Sequence, residues 1–313
     1  SGLQYGPTVV INDHVQIVEL TGGTLHLTGT ASRLPLSHEF VQQAFPHGLP
    51  AGSDSRTLDI AKAVRANGGH PIRVATEKVD GRWYPSVLYT IADNAATAAG
   101  LAKPTAADYI PAVGAGSPED AVRQAITSLL DGDVADAIKV TAPDELAALH
   151  DYGGLITRAI GRYHVPFSLD ELELTSSPGP DGTTLVLPKS MTFRAGPDAG
   201  PVSVTMQGSC VRITGAATGR SERLCPDQII RSMSQSLAQA SGRTLTAAQR
   251  RALNDLFAHN LSVGGSGIVT TEHDGKWYVN PVRTVLGATT TVLDGLRGDD
   301  VFQLIGLFRE FGH

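Results

Sequence analysis

Two pentapeptides constrain this chain more than any other feature. "DGRWY" at 80–84 and "DGKWY" at 274–278 carry both tryptophans of the 313 residues, and Trp83 and Trp277 stand 277 − 83 = 194 positions apart. Each sits in a longer matching frame, "GGHPIRVATEKVDGRWY" from Gly68 and "GGSGIVTTEHDGKWY" from Gly264. Runs of Val, Ile and Thr favour half-buried strands. Asp-Gly supplies the positive φ angles of a tight turn between antiparallel strands. The frame therefore predicts a β-hairpin written twice. Trp and Tyr start each return strand on opposite faces, so one ring of each pair is expected in a core.

The likeness extends outward. "VQIVELTGGTLHLTG" (15–29) aligns with "VSVTMQGSCVRITG" (202–215), which predicts an equivalent first hairpin in each copy. Between the hairpins each copy has a helical insert: "SHEFVQQAF" and "RTLDIAKAVRANG" in the first, "DQIIRSMSQSLAQ" and "TAAQRRALNDLFAHN" in the second. The second helix of each insert repeats its apolar residues at three- and four-residue steps. After each Trp-Tyr a further helical stretch follows. Two copies of one α+β domain account for this order.

The copies differ at the front. The second has a helical preamble from Ser117, with Ser117 as N-cap, Pro118 at the first helical position and Asp120 at the capping-box position. Asp131-Gly132-Asp133 then breaks that helix. The first copy opens directly on strand-like sequence. Its sheet face is expected either to have lost its helices upstream of Ser1 or to be covered by another element, because a bare apolar face invites aggregation. "LAKPTAADYIPAVGAG" (101–116) reads as a linker. The expected division is thus 1–101 for a first, N-terminally incomplete repeat, 102–116 for the linker, and 117–313 for a second, complete repeat with a C-terminal helix. In that last helix, Phe302, Ile305 and Phe308, with Leu304 and Phe311 beside them, share a broad apolar side, suited to capping a core such as the first copy's sheet or, alternatively, to a partner or membrane surface.

A helix opening "SPEDAV", broken at "LLDGD" and followed by further helices and a curved antiparallel sheet, resembles the nuclear transport factor two-like superfamily, the cone fold of ketosteroid isomerase and the polyketide cyclases. The resemblance implies two tandem cone-type domains. Tandem copies of this kind look like the extracytoplasmic parts of membrane-anchored actinobacterial envelope proteins. In such a cone some members place acid–base chemistry, others bind proteins or ligands. His150-Asp151-Tyr152 ends a helix where the resemblance implies polar pocket residues, and these three together with Tyr163 are the ligand-binding candidates. Trp83 and Trp277 are expected to be structural.

Function classes narrow mainly by exclusion. A net charge of −6 and no basic block argue against nucleic acid as a partner. No nucleophile elbow or phosphate loop is present, and no histidine pair has metal-ligand spacing, so no metal or cofactor is expected. Cys210 and Cys225 are the only cysteines; they form a disulfide in an exported chain, or two buried thiols in a cytosolic one. The favoured reading is a non-enzymatic extracytoplasmic domain of a cell-envelope protein, tethered upstream of Ser1 and binding an envelope protein or small ligand. The alternatives are a pocket enzyme of isomerase or cyclase type and a structural module that forms homodimers.

Overall fold

The computed structural model describes residues 1–30, 53–161, 163–196, 200–215, 219–241, 244–262, 267–294, 300 and 303. In chain order its elements are β1 (Gln4–Tyr5), β2 (Val9–Val10), β3 (Val15–Gly22), β4 (Thr24–Thr30), β5 (Ser53–Asp59), α1 (Ile60–Ala66), β6 (Ile72–Val79), β7 (Arg82–Pro85), α2 (Val87–Ala98), α3 (Pro118–Leu130), α4 (Val134–Lys139), α5 (Ala147–Asp151) and α6 (Gly153–Ile160). There follow β8 (Ser168–Pro178), β9 (Thr184–Arg194), β10 (Val202–Gln207), β11 (Cys210–Gly215), β12 (Arg220–Leu224), α7 (Pro226–Ser241), α8 (Ala247–Ser262), β13 (Ile268–His273), β14 (Lys276–Val279) and α9 (Pro281–Asp294). The protein is mixed α+β with a curled antiparallel sheet.

Both tryptophan hairpins form as expected. Asp80 and Gly81 have φ of 49° and 77°, and Asp274 and Gly275 have 51° and 73°, the left-handed pair that a two-residue turn requires. In β6–β7 Lys78 lies opposite Trp83, and in β13–β14 Glu272 lies opposite Trp277.

The 194-residue offset also governs the start of the following helix. The Ala75 amide donates to Thr90 Oγ1 at 2.9 Å, and the Val269 amide to Thr284 Oγ1 at 2.9 Å. Each threonine hydroxyl donates in turn to a carbonyl four residues back, Ser86 at 2.6 Å and Asn280 at 2.7 Å. The Ser86 and Asn280 amides close the loop onto the Ala75 and Val269 carbonyls, at 2.9 and 2.8 Å. A strand N–H, a helix first turn and one threonine thus form the same bond set twice.

The expected pairing of 15–29 with 202–215 does not hold in three dimensions. Thr76 Oγ1 donates to the Gln16 carbonyl, whereas its counterpart Thr270 donates to the Thr184 carbonyl. The neighbour of the hairpin is β3 in one place and β9 in the other. Alternating β-branched residues mark any half-buried strand and carry no record of its partner. In the first insert, residues 53–59 form β5 and only Ile60–Ala66 is helical, while "SHEFVQQAF" and most of the C-terminal apolar helix lie outside the described residues. Both helices of the second insert are present as α7 and α8.

The chain packs as two compact units, and the described part of the first comprises residues 1–30, 53–112, 143–161 and 163. Its five-stranded sheet runs β1-β3-β6-β7 with β2 also on β3, and β4–β5 form a separate ribbon. The segment 143–163, expected in the second repeat, has its packing here. Ala148, Tyr152 and Leu155 join Val15, Ile17, Ala75 and Tyr89 in one buried cluster. The sheet face that the sequence left bare is therefore covered by α5 and α6 together with α2. Burying these side chains removes apolar area from water, at about 25 cal/mol per Å².

The second unit carries the seven-stranded sheet β12-β11-β10-β9-β13-β14, with β8 along β9. Ser117 Oγ accepts from the Asp120 amide at 3.1 Å and Pro118 opens α3, as the capping pattern requires. The helix ends at Asp131 before α4 begins. Ala121 and Val122 from α3 pack with Ala115, Val186 and Val279. Cys210 and Cys225 are joined in a disulfide, which suits an oxidising environment. Among the described residues no helix is long and apolar enough to cross a membrane.

Candidate functional site

The candidate site lies in the first unit, where the short helix α5 sends consecutive side chains in different directions. His150 is 2% exposed. Its Nδ1 donates to the Ile110 carbonyl at 2.8 Å, and the Ile110 amide returns a bond to the His150 carbonyl at 3.0 Å. This histidine fixes backbone and lines neither depression described below.

Asp151 is the hub of a polar cluster. Its Oδ2 accepts from Asn12 Nδ2 at 2.8 Å, from the Tyr89 hydroxyl at 2.8 Å and from His14 Nε2 at 3.2 Å. His14 Nδ1 meets Asp13 Oδ1 at 2.8 Å, and Asn12 Oδ1 accepts from the His14 amide at 3.1 Å, a local turn that aims the imidazole. Partial burial alone would lower the His14 pKa. The hydrogen bond to Asp13 and the charges of Asp151 and Asp13 outweigh it and raise that pKa above its ordinary value. Burial, reinforced by the bond to Asp151, pushes the Tyr89 hydroxyl far above the usual phenol range, so it stays a donor. A cavity of about 430 Å³ opens beside this cluster, lined by Ile11, Asn12, His14, Thr105, Tyr109 and Asp151 among others.

Tyr152 is 1% exposed and belongs to the core. Burial, with the Asp93 carboxylate nearby, raises its hydroxyl well above the phenol range. Asp93 is itself held by Arg73, whose Nε and Nη2 reach its two oxygens at 2.7 and 3.0 Å while Nη1 reaches Glu19 at 2.7 Å. A bidentate, mostly buried guanidinium of this kind organises a core rather than awaiting a ligand. The ring of Tyr152 also lines a second depression, an apolar groove of about 340 Å³ between α2 and the α5–α6 pair. Leu88, Ile91, Ala92 and Ala96 form one wall and Leu149, Leu155, Ile156 and Ile160 the other. Alanines on α2 leave the room that larger side chains would fill. Ile91 and Ile160 stand exposed at its rim.

Of the four sequence candidates, only Asp151 lines the polar cavity and only Tyr152 lines the groove; Tyr163 is exposed and lines neither. Sequence reasoning missed Asn12, Asp13, His14 and Tyr89. The only local signal for the first three is "NDH" ahead of a strand, which reads as a turn, and Asn12, His14 and Tyr89 meet Asp151 across 139, 137 and 62 residues of chain. The structural candidates divide as well. Trp277 packs against the core of the second unit, whereas Trp83 is 39% exposed with Lys78 Nζ 5.9 Å from its ring centre. Neither ring of the first Trp-Tyr pair is buried, because no described segment lies over β7.

Chemically, three donors converging on one carboxylate oxygen make a clamp. Both ring nitrogens of His14 face carboxylates, which favours a held imidazolium over a free base. The groove, by contrast, presents almost entirely apolar surface. Compared with protein-family models, with curated proteins and with solved structures, the chain matches none.

Proposed function

We propose that the chain is a non-enzymatic, extracytoplasmic binding protein of the cell envelope, and that its first unit takes a small apolar ligand such as a single hydrocarbon chain. The observation that carries this reading is the groove between α2 and α5–α6, walled by aliphatic side chains with isoleucines at its mouth. Its volume of about 340 Å³ falls at the small end of ligand cavities. Its one polar side chain, Tyr152, sits with its acidity suppressed beside Asp93. The disulfide supports an exported location, and a membrane tether upstream and an actinobacterial-type envelope belong to the same proposal. So do the tandem cone-type domains, supported by the hydrogen-bond set shared at an offset of 194. An isomerase- or cyclase-type reaction would draw on Asp151, but the clamp already engages its neighbouring donors.

The test is titration with a fluorescent fatty acid. Ala96→Trp fills the groove and Ile91→Asp charges its rim, an exposed position that folding tolerates. Both are expected to weaken binding at least about tenfold, since a filled or charged site loses the apolar contact area. Unchanged affinity in both variants, with native circular dichroism, would reject the groove as the site.

A further inference from the structure

The second unit shows what belongs on the open edge of the first. In β14 the amide and carbonyl of Trp277 point away from β13 and pair with Ala115: the Ala115 amide donates to the Trp277 carbonyl at 2.9 Å, and the Trp277 amide to the Ala115 carbonyl at 3.0 Å. The extended segment around Ala115 thus adds itself antiparallel to the sheet. Gly114 approaches so closely that a Cβ there would lie 2.7 Å from the Tyr278 ring. With this cover Tyr278 is 6% exposed.

The same backbone groups stand ready in β7. The Val79–Arg82 pair closes the two-residue turn, so Trp83 occupies the non-hydrogen-bonded position and turns its N–H and C=O outward, as Trp277 does. Among the described residues nothing pairs with them, and β7 ends its sheet. Tyr84, the counterpart of Tyr278, is 47% exposed. One difference limits the occupant. The Val279 amide donates to the Val140 carbonyl at 2.8 Å, but the matching position in the first unit is Pro85, which has no N–H. The Trp83 pair can therefore be copied, whereas the bond that the Val279 amide donates cannot.

We infer that β7 is a docking edge for a short extended protein segment of glycine-small-residue sequence, which pairs antiparallel with the Trp83 backbone and covers Tyr84 by strand addition. The chemistry of the occupant is read from Gly114-Ala115, its intramolecular equivalent. This inference does not depend on the apolar groove.

The probe is the capped peptide Pro-Ala-Val-Gly-Ala-Gly, the chain's own 111–116, added to the intact protein and followed by amide chemical shifts. Saturable shifts centred on the Trp83 amide are expected. They should weaken at least about fivefold for a peptide N-methylated at its second alanine, which keeps every side chain but lacks the donor, and for one with valine in place of the first glycine, which meets Tyr84. No binding at millimolar peptide, equal binding of the N-methylated peptide, or shifts confined to the Trp277 edge would each overturn the inference. Concentration-dependent shifts at Trp83 without peptide would also overturn it, by assigning the edge to a second copy of this chain.

Discussion

The hairpins β6–β7 and β13–β14 share turn geometry, strand register and the threonine bond set, yet the return strand of one is exposed and that of the other is built into a core. At Trp277 the edge is closed by Ala115, with Val140 and Ala142 bonding at Val279. At Trp83 the described structure provides no such cover. A local motif therefore fixes its own backbone and leaves its burial to whatever crosses it. The edges also differ at one residue: the Val279 amide donates to Val140, whereas Pro85 has no N–H to donate.

This comparison can be broken most directly at the tyrosines. Tyr278→Ala is expected to destabilise the second unit by about 3–5 kcal/mol, as for other buried aromatics. Tyr84→Ala should stay within about 0.5 kcal/mol, as an exposed change does. Urea unfolding checks both, and equal losses would mean that β7 is covered as β14 is.

The shared half of the comparison is tested at the threonines. Thr90→Val and Thr284→Val each leave a strand N–H without its acceptor, at a cost of about 1–3 kcal/mol. The two variants should lose similar amounts in their respective unfolding transitions. A large disparity would show that the repeated bond set does not do the same job twice.

A smaller effect separates the units by pH. His14 has a raised folded pKa, so its contribution is fully present below the unfolded value of about 6.5 and fades as pH rises through the folded value. His14→Gln should therefore destabilise the first unit most at about pH 6 and progressively less above about pH 7. Stability measured by urea midpoint across that range checks the sign; a gap that widens with rising pH would contradict the clamp.

Much of this was legible because it is local. The Asp-Gly turns, the Ser117-Pro118 cap, the Asp131–Asp133 break and the helices α7 and α8 each depend on residues within a turn or two of each other. The threonine bond set was also in plain view, since Thr90 and Thr284 both fall six residues after the tyrosine of their motif. The first hairpin alignment failed because period-two alternation records that a strand is half-buried and nothing about its neighbour. For the candidate site, "HDY" falls on α5, the helix that carries Asp151. Its three side chains could not be sorted by sequence, because His150, Asp151 and Tyr152 diverge toward a loop, a polar cleft and a core that are assembled from distant segments.

By itself the sequence determined where the chain turns, caps and breaks, and that one hairpin recurs at an offset of 194, since each of these rests on backbone preferences satisfied within a few residues. Only the tertiary structure decided that α5 and α6 cover the first sheet, that Asp151 gathers Asn12, His14 and Tyr89, and that Tyr278 is buried while Tyr84 is not. Those outcomes turn on apolar area and hydrogen bonds shared between segments tens to well over a hundred residues apart, whose free energy exists only once the partners have met.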